Sequence, residues 1–370
     1  MLRPLLPAVI FFALLTPLLP AAETVRVWQT VRGQRIDGSF LRKEGDKVVI
    51  QKKNSKETVS VPLEELMPPD TVYLDQLEKG SRGVNPVPAA KPAKSGSALP
   101  PVPSGAADED VPGEPAKGCL YPRTKEEIRS GLRAIYQRDK PKNLEKEVHD
   151  SICRLNAYRF LSGIYAEVGT EPHMVEGAYD AARACAKAGT ISHSLGHSTD
   201  KCNLHMGSTE LVSSVDGYIG DGGDNNRERR GHRRWCLNPS MSNAGFGREG
   251  VFSAMWCMDG GGQQAKAPWS YPGRGLYPLE YVHGSAWSFY YTGSLPADTE
   301  VRIWKLTGRP TQSIPWGEEP KGREIKVHYK FVYDNTINFE PDPKIHGSRG
   351  IYWVRVHGRS VREQYLTELF

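Results

Sequence analysis

Asn226-Arg-Glu-Arg-Arg-Gly-His232-Arg-Arg-Trp-Cys-Leu-Asn-Pro239 is the stretch on which the reading of this chain turns. Its histidine follows a glycine, sits among the arginines at 227, 229, 230, 233 and 234, and leads into an apolar Trp235-Cys236-Leu237 before an Asn-Pro stop. An arginine run by itself is a solvated face. This one ends in a run that reads as the buried start of a strand, which puts His232 at the rim of a cleft. The arginines then have two readings. One is a solvated loop partly neutralised by Glu228. The other is an anion site in which Arg233 and Arg234 flank the histidine, suited to acidic glycans or lipid head groups.

Upstream, residues 124–190 turn helical. Leu144, Val148, Ile152 and Leu155 fall on one helix face, and a second helix opens at Thr170-Glu171-Pro172. The face of that second helix is Met174, Ala178, Ala181, Ala182, Cys185 and Ala188, nearly all small, with Gly189 as its C-cap. Small faces pack closely on a sheet or another helix. A third helix is expected over about residues 209–219, and strands near residues 244–247 and 251–258.

The order of these pieces resembles the CAP superfamily of SCP-like secreted proteins. The resemblance rests on Asn156-Ala-Tyr-Arg159, Ile191-Ser-His193-Ser194, the Gly231-His232 to Asn238-Pro239 run and Gly245-Phe-Gly247, and it covers about residues 140–260. It implies an α-β-α sandwich around an antiparallel sheet, with a cleft presenting two histidines and two acids. His193 matches the first histidine and His232 the second. Cys202-Asn203-Leu204 falls where the family writes Glu-Asn-Leu, so Cys202 replaces the first acid. Tyr218 stands in place of a tryptophan, Asp221 in place of the second acid, and Glu210 is out of register. The implied cleft set is therefore His193, Cys202, Asp221 and His232, with Arg233 and Arg234 beside it.

Two histidines and an aspartate (His193, His232 and Asp221) are a donor set that suits Zn²⁺, with a Cys202 thiolate as a fourth ligand. Against this, Cys202 can be half of a disulfide and the histidines simple hydrogen-bonding groups. His197 and His205 read as surface-loop residues. Ser192 and Ser194 lack the G-x-S-x-G elbow that exposes a nucleophile. A Cys202–histidine nucleophile is outweighed by disulfide formation, because the six cysteines sit in a chain that carries an export signal. Cys236 and Cys257, in neighbouring strand-like runs, are the favoured bridge.

That signal occupies residues 1–22: Arg3, an apolar run from Ala8 to Leu19, and a small-residue cleavage point at Ala21-Ala22. The run is short for a membrane span, and no later one is long enough to anchor the chain. A periplasmic or extracellular location follows. Residues 23–79 form the next unit, in which residues 24–66 alternate as short strands. Trp28, the Gly33 turn, Ile36, Phe40, the Gly-Asp-Lys-Val of residues 45–48, Val59-Ser-Val-Pro-Leu63, Asp70 and Tyr73-Leu74 resemble the SLA-type homology domain, which implies a small SH3-like barrel with a docking or structural role. Residues 80–117, rich in Pro, Ala, Gly and Ser, read as a linker without structure of its own.

Residues 118–262 are the expected CAP unit, and residues 263–370 a β-sandwich-like module with clean alternation in Val301-Arg-Ile-Trp304 and Tyr352-Trp-Val-Arg-Val356. The aromatic Trp269-Ser-Tyr271 resembles a segment that follows the CAP core in bacterial members, and interdomain packing is its expected use. The fold class is α+β. A net charge of +5 on 370 residues, without a basic tail or aromatic-basic repeats, gives no sign of nucleic acid binding. The expected function is binding of a lipid, glycan or peptide at the cell envelope without catalysis. A metal-dependent envelope hydrolase using His193, His232 and Asp221 is the alternative, and a structural surface protein is the third reading.

Overall fold

The computed structural model describes residues 26–29, 35–53, 55–63, 66, 74, 115–223, 226–345 and 348–370. The expected signal peptide, nearly all of the expected linker, and Gly33, Asp70 and Tyr73 lie outside them. The chain divides into two compact units, residues 1–89 and 90–370. The fold is mixed α+β with several antiparallel sheets, and no described helix is long and apolar enough to cross a membrane.

The first unit is an antiparallel meander of β1 (Arg26–Gln29), β2 (Arg35–Glu44), β3 (Lys47–Lys52) and β4 (Thr58–Pro62), in that order. Alternation along these strands gathers Trp28, Ile36, Val48, Ile50 and Val61 into one core with Leu66 and Leu74. The Trp28 indole donates to the Gly38 carbonyl at 2.9 Å, and β2 carries an irregularity between Phe40 and Arg42. The described strands form an open sheet and not a closed barrel.

The second unit begins with α1 (Lys125–Tyr136), whose capping box pairs Thr124 with Glu127. It continues with α2 (Lys146–Leu161), α3 (Pro172–Ala188), β5 (Cys202–Met206), α4 (Leu211–Gly220), α5 (Gly231–Cys236), β6 (Gly245–Glu249) and β7 (Phe252–Trp256). The three strands form an antiparallel sheet ordered β5-β7-β6. On one face, Cys202, Leu204 and Ala254 meet Ala178, Ala181, Ala182 and Cys185 of α3. Gly245 and Gly247 bring that helix onto the sheet backbone: a Cβ on Gly247 would lie 2.3 Å from the Tyr179 nitrogen, and one on Gly245 2.1 Å from the Met174 oxygen. On the other face, Phe246 and Met255 join the core built by α2 and α4.

Trp235-Cys236-Leu237 does not start a strand. Gly231–Cys236 is a short helix, entered from Arg230 in the left-handed region (φ +45°), and the turn buries Arg233 and Cys236 together.

The β-rich tail supplies two sheets. One is β8 (Trp269–Tyr271), β10 (Trp287–Tyr290), β14 (Thr336–Pro341) and β13 (Val327–Tyr333), in the order β13-β14-β10-β8. The other is β12-β11-β15-β16-β9, made of β9 (Gly275–Tyr277), β11 (Glu300–Leu306), β12 (Gly322–Ile325), β15 (Gly350–His357) and β16 (Arg362–Leu369). They meet through Trp287 edge-on to Tyr352 at 5.4 Å and Phe289 stacked on Tyr365 at 6.0 Å. A single hydrophobic core runs from α1 and α2 into these sheets. Trp269, stacked at 5.1 Å on Tyr290, is part of that interior packing.

Candidate functional site

The site is organised by the end of α4. Asp221 caps this helix with φ +43°, and its side chain is buried. Oδ2 accepts the Arg233 backbone N–H at 3.2 Å, and Oδ1 lies 3.0 Å from His232 Nδ1. Asn226 Nδ2 also approaches that ring nitrogen, at 3.4 Å. The His232 ring is thus held beside the Asp221 carboxylate and the Asn226 amide. Asn203, the centre of Cys-Asn-Leu, donates to the His232 carbonyl at 3.0 Å and so ties α5 to the sheet.

Beside this pair lies Tyr218, one turn back along α4. The His232 ring meets it edge-on at 5.8 Å, and the His205 ring does so at 6.0 Å. Gly217 makes the room: a Cβ there would stand 2.7 Å from His205 Cε1. Burial, with a smaller contribution from His232, pushes the His205 pKa down to about 4, so this imidazole is neutral at ordinary pH. Burial also raises the Tyr218 phenol well above its ordinary value, and its hydroxyl sits 3.4 Å from Ser253 Oγ. The arrangement is two imidazoles flanking a phenol, one of them 3.0 Å from a carboxylate.

Of the expected set, Asp221 and His232 come together, and the others do not join them. His193 is exposed on the loop before β5, its Nδ1 2.8 Å from the Thr199 carbonyl. Cys202 points to the opposite face of β5, into the α3 packing, and burial raises its thiol pKa well above the ordinary value. A thiol so placed is neither a ready nucleophile nor a ligand for this site. Among the described residues no three His, Cys, Asp or Glu side chains are placed to hold a metal ion. The expected His193–His232–Asp221 zinc set is therefore not assembled, and Asp221 Oδ2 is already engaged by backbone.

The anion-site reading is also corrected. Arg233 is fully buried, donating to the carbonyls of Ile219, Gly220 and Ala286 and to Ser288 Oγ, with its guanidinium 4.4 Å from the Tyr271 ring centre. Arg234 pairs with Asp334 at 3.1 Å and lies over Tyr333. Arg227 and Arg230 both grip Glu340. These arginines are spent on fastening α5 to the β10–β14–β13 sheet.

All six cysteines are free thiols, Cys236 and Cys257 included. The Asn203 carboxamide lies between that pair, donating to Cys236 Sγ at 3.8 Å and accepting from Cys257 Sγ at 3.6 Å, where the sequence suggested a bridge.

His205 was the residue that sequence reasoning missed by treating it as a loop histidine. Alternation along Cys202-Asn-Leu-His205 carries the signal: Asn203 and His205 share the strand face opposite Cys202 and Leu204. No protein-family model, curated protein or solved structure matches this chain.

Proposed function

We propose that the protein is an exported binding protein of the CAP type, which holds a glycan at the His205–Tyr218–His232 face. The CAP motifs in the sequence and the layering of α3, the β5-β7-β6 sheet and the α2–α4 group support the family reading. The carrying observation is the Asp221–His232 contact beside a neutral His205. His232 presents its imidazole edge beside Asp221, and His205, neutral at ordinary pH, offers one ring nitrogen as acceptor. Such a face accepts hydrogen bonds from hydroxyl groups, which favours a sugar over a lipid tail. Among the described residues, neither an activated nucleophile nor a converging metal-ligand trio accompanies it.

The second reading, hydrolysis, draws on the same contact, because an imidazole beside a carboxylate is also the arrangement of a general base. Titration of the purified full chain with peptidoglycan fragments, neutral and acidic oligosaccharides, peptides and phospholipid vesicles separates the readings. Saturable glycan binding, weakened at least about tenfold by His232→Ala and indifferent to a chelator, is the expected result, a loss typical of one well-placed hydrogen bond to a charged or oriented group. Binding to vesicles or peptides alone would reject the glycan. Turnover of the glycan that His232→Ala abolishes would establish hydrolysis instead.

A further inference from the structure

A second cluster of functional groups lies on the β12-β11-β15-β16-β9 sheet. Arg302 of β11 and Arg355 of β15 are direct cross-strand partners, and His357 of β15 opposes Arg362 of β16. Like charges directly opposite each other destabilise a sheet unless something compensates them. Trp316 folds over the group from the loop between β11 and β12. Its ring centre is 5.1 Å from the Arg355 guanidinium and 4.9 Å from that of Arg362, with His357 edge-on at 6.5 Å. These side chains line an open pocket of about 350 Å³.

The three guanidiniums differ in their compensation. Arg302 is neutralised by Glu324, at 2.7 Å, and by Glu319, at 3.1 Å. Arg355 is only 5% exposed, and its described hydrogen bonds go to uncharged acceptors: Gln364 Oε1 and the carbonyls of Pro315 and Glu318. Its Nη1 bonds to nothing among the described residues. Arg362 is exposed and pairs with no carboxylate among them. Burial, then repulsion from Arg302, lowers the Arg355 pKa, with Glu319 opposing and Arg362 adding to the repulsion. A buried cation without a counter-ion is costly, and an incoming anion removes that cost.

We propose that this pocket is a second binding site, taking the oxyanion of a small solute (a carboxylate, sulfate or phosphate) between Arg355 and Arg362. The exposed guanidinium fork of Arg362 matches such a group in a pair of hydrogen bonds, and Arg355 adds its unengaged Nη1. The volume is at the lower end of the range for small-molecule sites, which suits a ligand of about one sugar ring. The site is independent of the His232 face.

Isothermal titration of the full chain with sodium sulfate, sodium phosphate and sodium glucuronate tests it, with sodium chloride at matched ionic strength and glucose as controls. The expected result is saturable binding of at least one oxyanion and of neither control, and the ranking of the three identifies its source. Arg362→Gln, at an exposed position, should weaken binding at least about tenfold with the melting temperature unchanged. Arg355→Lys, which keeps the charge and removes the Nη1 donor, should weaken it too. Absence of saturable binding by all three oxyanions, or equal affinity in Arg362→Gln, overturns the proposal and leaves the cluster as packing between arginine and tryptophan.

Discussion

His205 stores a pH dependence that can be read from its surroundings. Its folded pKa, about 4, lies below the ordinary 6.5 because burial disfavours the imidazolium. The unfolded chain therefore binds the extra proton first as pH falls. Stability contributed by the neutral ring is fully present above pH 6.5 and is lost progressively down to about pH 4, amounting to at most roughly 3 kcal/mol. Melting curves across that window should show His205→Gln with a flatter pH profile than the parent, and an unchanged profile would remove His205 as its source. At the neighbouring Gly217, a methyl group would press on the His205 ring. Gly217→Ala should cost about 1–3 kcal/mol in denaturant unfolding and displace the imidazole, visible as a His205 pKa returning toward 6.5 by NMR titration. His232 and Asp221 were legible in the sequence because motif spacing marks them. His205 was harder to see, because its role depends on a strand face and on a glycine from a different element.

Among the elements, α3 and β6 explain each other. The small face of α3 was readable from its helical period, and the Gly245-Phe-Gly247 alternation supplies its counterpart: two strand positions without side chains, against which the helix backbone lies. Here the colliding atoms of Tyr179 and Met174 are backbone, which cannot rotate away. Gly247→Ala should therefore destabilise by more than the usual overpacking cost, at least about 3 kcal/mol, while Gly250→Ala, in the turn at φ +58° with open space around it, carries only backbone strain of about 1 kcal/mol. Equal losses at the two sites in urea unfolding would mean that α3 does not rest on the strand. The short α5 was misread as a strand for a physical reason. Three apolar residues have no measurable period, and what makes 231–236 helical is tertiary: Arg233 must turn inward to reach the Ile219, Gly220 and Ala286 carbonyls.

At the scale of the whole molecule, residues 226–239 join the helical part of the second unit to its β-rich tail. Arg233 reaches Ser288, Ser288 donates to Asn338, and Asn338 donates back to the Glu228 carbonyl. Around this chain, Glu340 of β14 accepts from Arg227 at 2.8 Å and from Arg230 at 2.5 Å, and the Arg230 side chain is almost wholly buried. Two arginines of the run thus grip one carboxylate inside the unit. Removing that carboxylate strands a buried guanidinium, for which losses of about 3–5 kcal/mol are usual. Glu340→Gln should lower the stability of the unit by that order, and Glu340→Gln with Arg230→Met by less, since the second change takes away the stranded charge. Because one core spans α1 to β16, the loss should appear as a downward shift of a single cooperative transition of residues 115–370 by calorimetry. A split into two transitions would instead make the helical part and the tail separate folding units, joined only through the arginines.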